Sequence, residues 1–413
     1  MSRYEKIKRS IIIIVIIIIA IFSSINARER RIKKESEKKE VKIMEEYNSD
    51  IIRTTFKEKN YLISPYNIKI ALNMLKDGAD GNTKDEIEKV IGNEKINNIN
   101  IKNKLSVANG IFIKNDFKSS VKKEFTNIMK DKYHSEIIYD EFKTPKVINN
   151  WVKEKTNGMI DKVLDKINEN SVMGIASAIA LDVEWLDKFQ CSDTKKEEFI
   201  KIDNSKLNTE MMRQTYEANA KYIKDEEIEG IILPYNTGVS GIELEFVGLL
   251  PKNNITDYVR NIDINKINNS IKNARETNEK LHVILSLPRF SYSYEVEDFI
   301  SSLKKMGIND VFSPPLANLS KISDTSGIYV GDAIHKAKID LNEEGTIASA
   351  VTYLDFLYKG ALAEQNYDEI DLRFNKPFVY MIRERNTGEI LFFGTVFEPN
   401  KWMGETCSKQ KES

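Results

Sequence analysis

A chain of 413 residues with a formal net charge of −1 is long enough to bury an ample core without staples. Its near neutrality excludes the basic surface that a nucleic-acid binder normally carries. Its two cysteines, Cys191 and Cys407, do not make a disulfide framework and say little about compartment.

The N-terminus stands apart. Arg3, Lys6, Lys8 and Arg9 precede an apolar run from Ile11 to Phe22, extended by Ser23, Ser24 and Ile25. Fifteen helical residues at about 1.5 Å each span roughly 22 Å, short of a hydrocarbon core of about 30 Å. That length fits the apolar part of a signal peptide. Ala27 suits a cleavage site, but Ile25 does not, and Arg28, Arg30, Arg31, Lys33 and Lys34 follow at once. Residues 1–27 are therefore expected to be a signal peptide or a membrane anchor. Residues 28–45 are highly charged, reading as a stalk or the lead-in to the first helix. No linker rich in Pro, Gly or Ser follows, and no repeat, so one large mixed domain is expected although the length alone allows two or three.

Ser64 and Pro65 open a helix as cap and first position. Ile68, Ala71, Leu72 and Leu75 give its buried stripe, and Gly78 ends it. Asp77 to Asn82 resembles a calcium loop only faintly, since the spacing is wrong and no Glu falls at the twelfth position. Thr144-Pro145 opens a second helix, with Val147, Ile148, Trp151 and Val152 buried and Asn157-Gly158 closing it. Val172–Ile179, Gly241–Pro251 and Leu281–Pro288 read as strands, while Phe299, Ile300, Leu303 and Met306 have helical spacing stopped by Gly307. Helices first and strands later, with no regular βαβ rhythm, indicate an α+β fold.

No Gly-x-Ser-x-Gly, Walker loop, His-Glu-x-x-His or Cys-x-x-Cys occurs, so the chain is not expected to be an enzyme, and no catalytic residue, metal or cofactor is assigned. His134 lies in a polar stretch and His282 on the polar side of an alternating strand, where both read as solvated.

The stretch from His335 to Lys359 contradicts itself. Ala337, Ile339 and Leu341 alternate with Lys336, Lys338 and Asp340 as in a half-buried strand. After Glu343, Glu344 and Gly345 come Thr346, Ala348, Ala350 and Thr352, all small on what would be one strand face. Yet the neighbouring Gly-Ala-Leu-Ala-Glu-Gln-Asn from Gly360 has neither helical nor strand period. A loop with the chemistry of a buried strand marks function.

Glu-Glu-Gly-Thr before small residues resembles the hinge of the serpins, a family of serine protease inhibitors, and of their inhibitory members in particular. The likeness continues in Leu372-Arg-Phe-Asn-Lys-Pro-Phe-Val-Tyr-Met-Ile-Arg383 and Thr387-Gly-Glu-Ile-Leu-Phe-Phe-Gly394. It also covers Ile63-Ser-Pro-Tyr-Asn-Ile68, Leu75-Lys-Asp-Gly-Ala-Asp-Gly-Asn-Thr83, Asn150-Trp-Val-Lys-Glu-Lys-Thr-Asn-Gly158, Met211-Met-Arg-Gln214 and Leu287-Pro-Arg-Phe290. These occur in the family's order. Heavy use of Ile, Lys and Asn suggests an AT-rich, bacterial genome.

The resemblance implies a serpin domain over residues 46–400, of about nine helices around three β-sheets, with an exposed reactive-centre loop at about 343–371 and a tail at 401–413. It implies that Glu343, Glu344, Gly345, Thr346, Ala348, Ala350 and Thr352 form the hinge. Counting from Glu343 places the reactive bond between Lys359 and Gly360. From Lys359 to Pro377 the chain is longer than is usual in the family, which leaves bonds after Leu357, Tyr358 or Leu362 open; Glu364, Asp368, Glu369 and Asp371 make that stretch acidic. The region where the central sheet parts would include Arg289 meeting Glu343, Trp185 nearby, and a polar cluster of Ser64, Ser177 and His335. Ser177 stands where the family usually has Asn, and Asn67 where it has Ser, so fewer hydrogen bonds are expected beneath the sheet.

The implied function is suicide inhibition of an extracellular serine protease, trypsin- or subtilisin-like with trypsin-like favoured by Lys359, through a covalent acyl-enzyme and insertion of the cut loop into the sheet. No cofactor is required. The protein would be secreted or anchored at the outer face of the cell membrane, monomeric, and prone to loop–sheet polymers on heating. The alternative is a non-inhibitory serpin that binds or carries, which need not keep small residues at 346, 348, 350 and 352.

Overall fold

The computed structural model describes residues 3–93, 96, 99–238, 241–346 and 367–399, with backbone alone for 3–21, 23 and 24. A helix from Arg3 to Thr55 carries the chain through the charged segment and into the domain. Residues 25–42 of it are exposed, supported by i,i+4 pairs such as Arg31–Glu35 and Lys42–Glu46. Burial begins where Met44, Tyr47, Ile51 and Ile52 turn into the core. Among the described residues no helix is long and apolar enough to cross a membrane.

Ser64 caps the helix Pro65–Gly78, its side chain accepting from the Asn67 N–H. That helix is more buried than a single stripe requires. Ala71 and Leu75 are half-buried, while Lys69, Asn73 and Lys76 are covered. The first helix, the helix Gly81–Ile91 and the strands Met173–Leu181 and Ile390–Val396 all pack on it. Lys69 meets Glu389 at 3.0 Å inside that packing, the pairing a buried ammonium needs. The helix Lys146–Lys155 buries Ile148, Trp151 and Val152 but leaves Val147 half-exposed, and Thr144 gives no side-chain cap.

A seven-stranded sheet forms the core wall, in the order Tyr61–Ile63, Ile390–Val396, Phe378–Glu384, Leu244–Pro251, Ile228–Pro234, Lys221–Lys224 and Arg275–Glu276. Four of its strands, Tyr61–Ile63, Leu244–Pro251, Phe378–Glu384 and Ile390–Val396, are buried at every position, which accounts for their largely apolar sequences. A four-stranded sheet comprises Asp368–Arg373, Leu281–Pro288, Lys206–Tyr216 and Lys195–Ile200.

The remaining sheet is divided. Glu136–Asp140, Leu105–Lys114 and Met173–Leu181 form one part. Phe290–Glu295, Lys336–Leu341, Gly345–Thr346 and Val183–Glu184 form the other. Asp182 joins the two parts, because Val183–Glu184 continues the strand Met173–Leu181. Among the described residues Met173–Leu181 pairs on one side only, with Leu105–Lys114. Lys336–Leu341, whose alternating burial matches its sequence pattern, pairs with Phe290–Glu295 and touches Gly345–Thr346 at one end. The architecture is α+β, with a parted central sheet.

Among the described residues no cysteine is free; Cys191 is disulfide-bonded, and Cys407 lies outside them.

Candidate functional site

The mouth of the parted sheet is built by Asn342 to Thr346. Asn342 turns the chain, its side-chain oxygen accepting from the Glu344 N–H at 2.9 Å. Gly345 and Thr346 then lie antiparallel to Glu184 and Val183 on one side, while Thr346 pairs with Leu341 on the other. The Trp185 N–H donates to the Glu344 carbonyl at 2.8 Å, and the Phe189 N–H to that of Glu343 at 3.1 Å. Gly345 is required here. Its φ is +154°, and a Cβ would stand 2.1 Å from the Val183 carbonyl oxygen.

This corrects one expectation. An exposed loop was to begin at the hinge, yet Thr346 is only 2% exposed, its hydroxyl 2.7 Å from that of Tyr235. The two-residue strand at Gly345–Thr346 fills the narrow end of the gap, so the described part of the hinge is docked rather than solvated.

Each hinge glutamate meets a cation. Arg289 Nε lies 2.8 and 2.7 Å from the two Glu343 oxygens, and its Nη1 lies 2.8 Å from Glu210. Thr194 also donates to Glu343. The pair is buried at both ends, so its value rests on its multiple aligned hydrogen bonds. Lys188 Nζ lies 2.7 Å from Glu344 and 2.5 Å from Glu184. Burial pulls that ammonium's pKa down, but the hydrogen bonds to Glu184 and Glu344 prevail and raise it. Trp185, 1% exposed, stacks on Tyr235 at 4.6 Å and donates its indole N–H to the Asn342 carbonyl at 2.9 Å.

Farther along the gap the groups are neutral. The Ser64 N–H donates to His335 Nε2 at 3.0 Å, and the Ser64 hydroxyl accepts from the Asn67 N–H at 3.2 Å. Asn67 Nδ2 donates to the Ser177 carbonyl at 2.8 Å. The Ser177 hydroxyl faces the side-chain oxygens of Asn67 and, at 2.8 Å, Asn109. Asn109 in turn donates to the Tyr133 carbonyl. One helix N-terminus thereby ties Ser177 on one edge to His335 on the other. The short side chain at Ser177 is met by Asn67, whose amide reaches the Ser177 carbonyl from the opposite side. Burial lowers the His335 pKa to about 4, which keeps Nε2 an acceptor.

A family model described as Serpin (serine protease inhibitor) matches residues 44–399. The chain belongs to the serpin family. It is 28% identical to human neuroserpin over 84% of this chain and 88% of that protein, and 31% identical to glia-derived nexin of Rattus norvegicus over 83% and 88%. Among solved structures, the thermophilic serpin tengpin in its native state matches with a TM-score of 0.75 at 29% identity, over 87% of this chain and 94% of that one. Thyroxine-binding globulin complexed with thyroxine shares the fold, with a TM-score of 0.73 at 23% identity over 88% of this chain and 100% of that one. The same fold therefore occurs in a protein solved with thyroxine bound.

Of the site residues inferred from the sequence, Glu343, Glu344, Gly345, Thr346, Arg289 and Trp185 come together at the mouth, and Ser64, Ser177 and His335 farther in. Ala348, Ala350, Thr352, Lys359 and Gly360 lie outside the described residues. Lys188, Glu184, Glu210, Thr194 and Tyr235 were not singled out. Each is an ordinary surface type in sequence, and nothing local marks it; only the register across the mouth does. His282 departs from its solvated reading: its side chain is 13% exposed and its ring stacks 3.9 Å from Tyr367. Among the described residues no group of three or more His, Cys, Asp or Glu is placed to hold a metal ion.

Proposed function

We propose that this serpin is a suicide inhibitor of extracellular serine proteases, trypsin-like by preference. The observation that carries the reading is the docked hinge: Gly345–Thr346 has begun a strand beside Val183–Glu184, and Met173–Leu181, which that short strand continues, is paired on one side only among the described residues. In this reading the protease serine attacks the Lys359 carbonyl. The Lys359–Gly360 bond breaks, the Gly360 amine leaves with a proton, and an ester joins Lys359 to the protease. The freed segment zips in from Thr346. Fourteen residues at about 3.3 Å each move the protease roughly 45 Å, and distortion of its active site stops deacylation. The ladder gained on insertion supplies the driving force. The apolar run at residues 11–25 serves export, and heating the uncut protein yields loop–sheet polymers.

Incubation with trypsin tests this directly. A denaturant-resistant complex of the two chains is expected, and clean cleavage without any complex would instead support the non-inhibitory alternative. Lys359→Glu should abolish trypsin inhibition and leave the fold intact; inhibition at the wild-type rate would place the reactive bond elsewhere. Thr346→Arg should turn the inhibitor into a substrate, because a buried guanidinium without a partner costs several kcal/mol. Since Thr346 is already buried, this variant also undocks the hinge before any cut. Stable complexes at wild-type stoichiometry would remove Thr346 from the path of insertion.

A further inference from the structure

Glu184, Lys188 and Glu344 form a small charge cluster that inhibition by itself does not explain. Glu344 belongs to the hinge. Glu184 lies on the strand against which the hinge docks, paired in register with Gly345. Their carboxylates would repel across the mouth, and Lys188 lies within 2.7 Å of both. Asp182 adds a third carboxyl nearby: burial, then Glu184, raise its pKa. Such crowding of like charges makes a bridging cation decisive for the docked geometry. The backbone contributes as well, since the amides of Trp185 and Phe189, which reach the hinge, flank Lys188 in sequence.

We propose that Lys188 is a positioning residue that holds the hinge docked in the uncut protein. With Lys188 in place the chain is held in the sheet as far as Thr346. Released, the hinge adds its own length to the loop and must re-enter the sheet before insertion can start. Lys188 would thus set the balance between presenting the bait to a protease and trapping it. That consequence rests on the inhibitory reading above, whereas the latch itself rests on the geometry of the mouth.

Hydrogen exchange of the whole uncut protein tests the latch without any protease. In the wild type the Trp185 and Phe189 amides should be protected through Glu344 and Glu343. Lys188→Glu removes both pairs and adds repulsion, so exchange at these amides should rise about tenfold. Amides of Phe378–Glu384 and Ile390–Val396 should stay protected, which excludes global unfolding. Lys188→Met, which keeps the stem and loses the charge, should give a smaller rise. Lys188→Glu combined with Glu344→Lys puts the cation on the hinge between two glutamates and should restore protection. Gly345→Ala, which cannot dock, sets the upper limit. Unchanged exchange in Lys188→Glu while Gly345→Ala raises it would overturn the latch, as would unprotected amides in the wild type. If exchange follows this pattern and wild-type protein forms no complex with trypsin, the inhibitory reading falls and the latch stands.

Discussion

Glu343 and Glu344, at the mouth of the parted sheet, are each held by a cation, whereas Ser177 and His335, farther along the same gap, are linked by neutral hydrogen bonds alone. At the mouth, Arg289 and Lys188 sit on the fixed body, each pairing with one carboxylate of that body and one of the hinge. In the inner cluster every partner is a hydroxyl, an amide or an unprotonated imidazole. The difference follows from what each place must tolerate. A strand passing the inner cluster would strand any charge left without its partner, at several kcal/mol. A neutral hydrogen bond exchanges at about 1 kcal/mol. Charge belongs where the moving segment stays docked, and neutrality where it has to pass.

The largest expected effect is at the charged end. Glu343→Ala takes from Arg289 a buried partner that it grips through two nitrogens, leaving it to Glu210. Breaking a buried pair by removing one member costs about 3–5 kcal/mol, readable as a lowered midpoint of denaturant unfolding. A loss below about 1 kcal/mol would mean that the pair is solvated, and the contrast between the two ends would collapse.

The neutral cluster should answer to pH. His335 is buried beside Phe299, with a pKa lowered by burial to about 4 from an unfolded value of about 6.5. Its contribution is complete above pH 6.5. As pH falls below that, the unfolded chain binds a proton that the folded protein refuses, so stability drops until the folded form also protonates near pH 4. The loss approaches about 3 kcal/mol over that window. His335→Gln should flatten this part of the stability–pH profile. The same slope in the variant would assign the acid sensitivity to other groups.

How much of this was legible in the sequence follows from the range of each interaction. The strand Lys336–Leu341 and the cap at Ser64 were readable because their signals are local: alternation in one case, a residue type before Pro65 in the other. The pairing of Arg289 with Glu343 came through family resemblance, since nothing local joins positions so far apart. The docking of Thr346 was missed because residues small enough to insert look the same whether they have inserted or not. Lys188 was invisible for a similar reason. It is one lysine among many until the register of Gly345 against Glu184 brings two carboxylates to it. Helix Pro65–Gly78 shows the same limit, its burial coming from neighbours on several sides rather than from its own period.

The smallest effect concerns the exchanged pair at positions 67 and 177. The Ser177 hydroxyl faces two carbonyl oxygens while the Asn67 amide spans to the Ser177 backbone, so one long and one short side chain fill the space between helix and strand. Ser177→Asn alone sets two amides where one fits. Asn67→Ser alone leaves the Ser177 carbonyl without its donor. Each single change should cost about 1–2 kcal/mol, through crowding in the first case and an unmet acceptor in the second. Made together they restore one long and one short partner in the arrangement the family resemblance implies. The double variant should then lie within about 0.5 kcal/mol of the wild type, with a coupling energy of about 2–4 kcal/mol in the cycle. Additive losses would show that the residues act separately, and that the link across the gap runs through Ser64 and His335 alone.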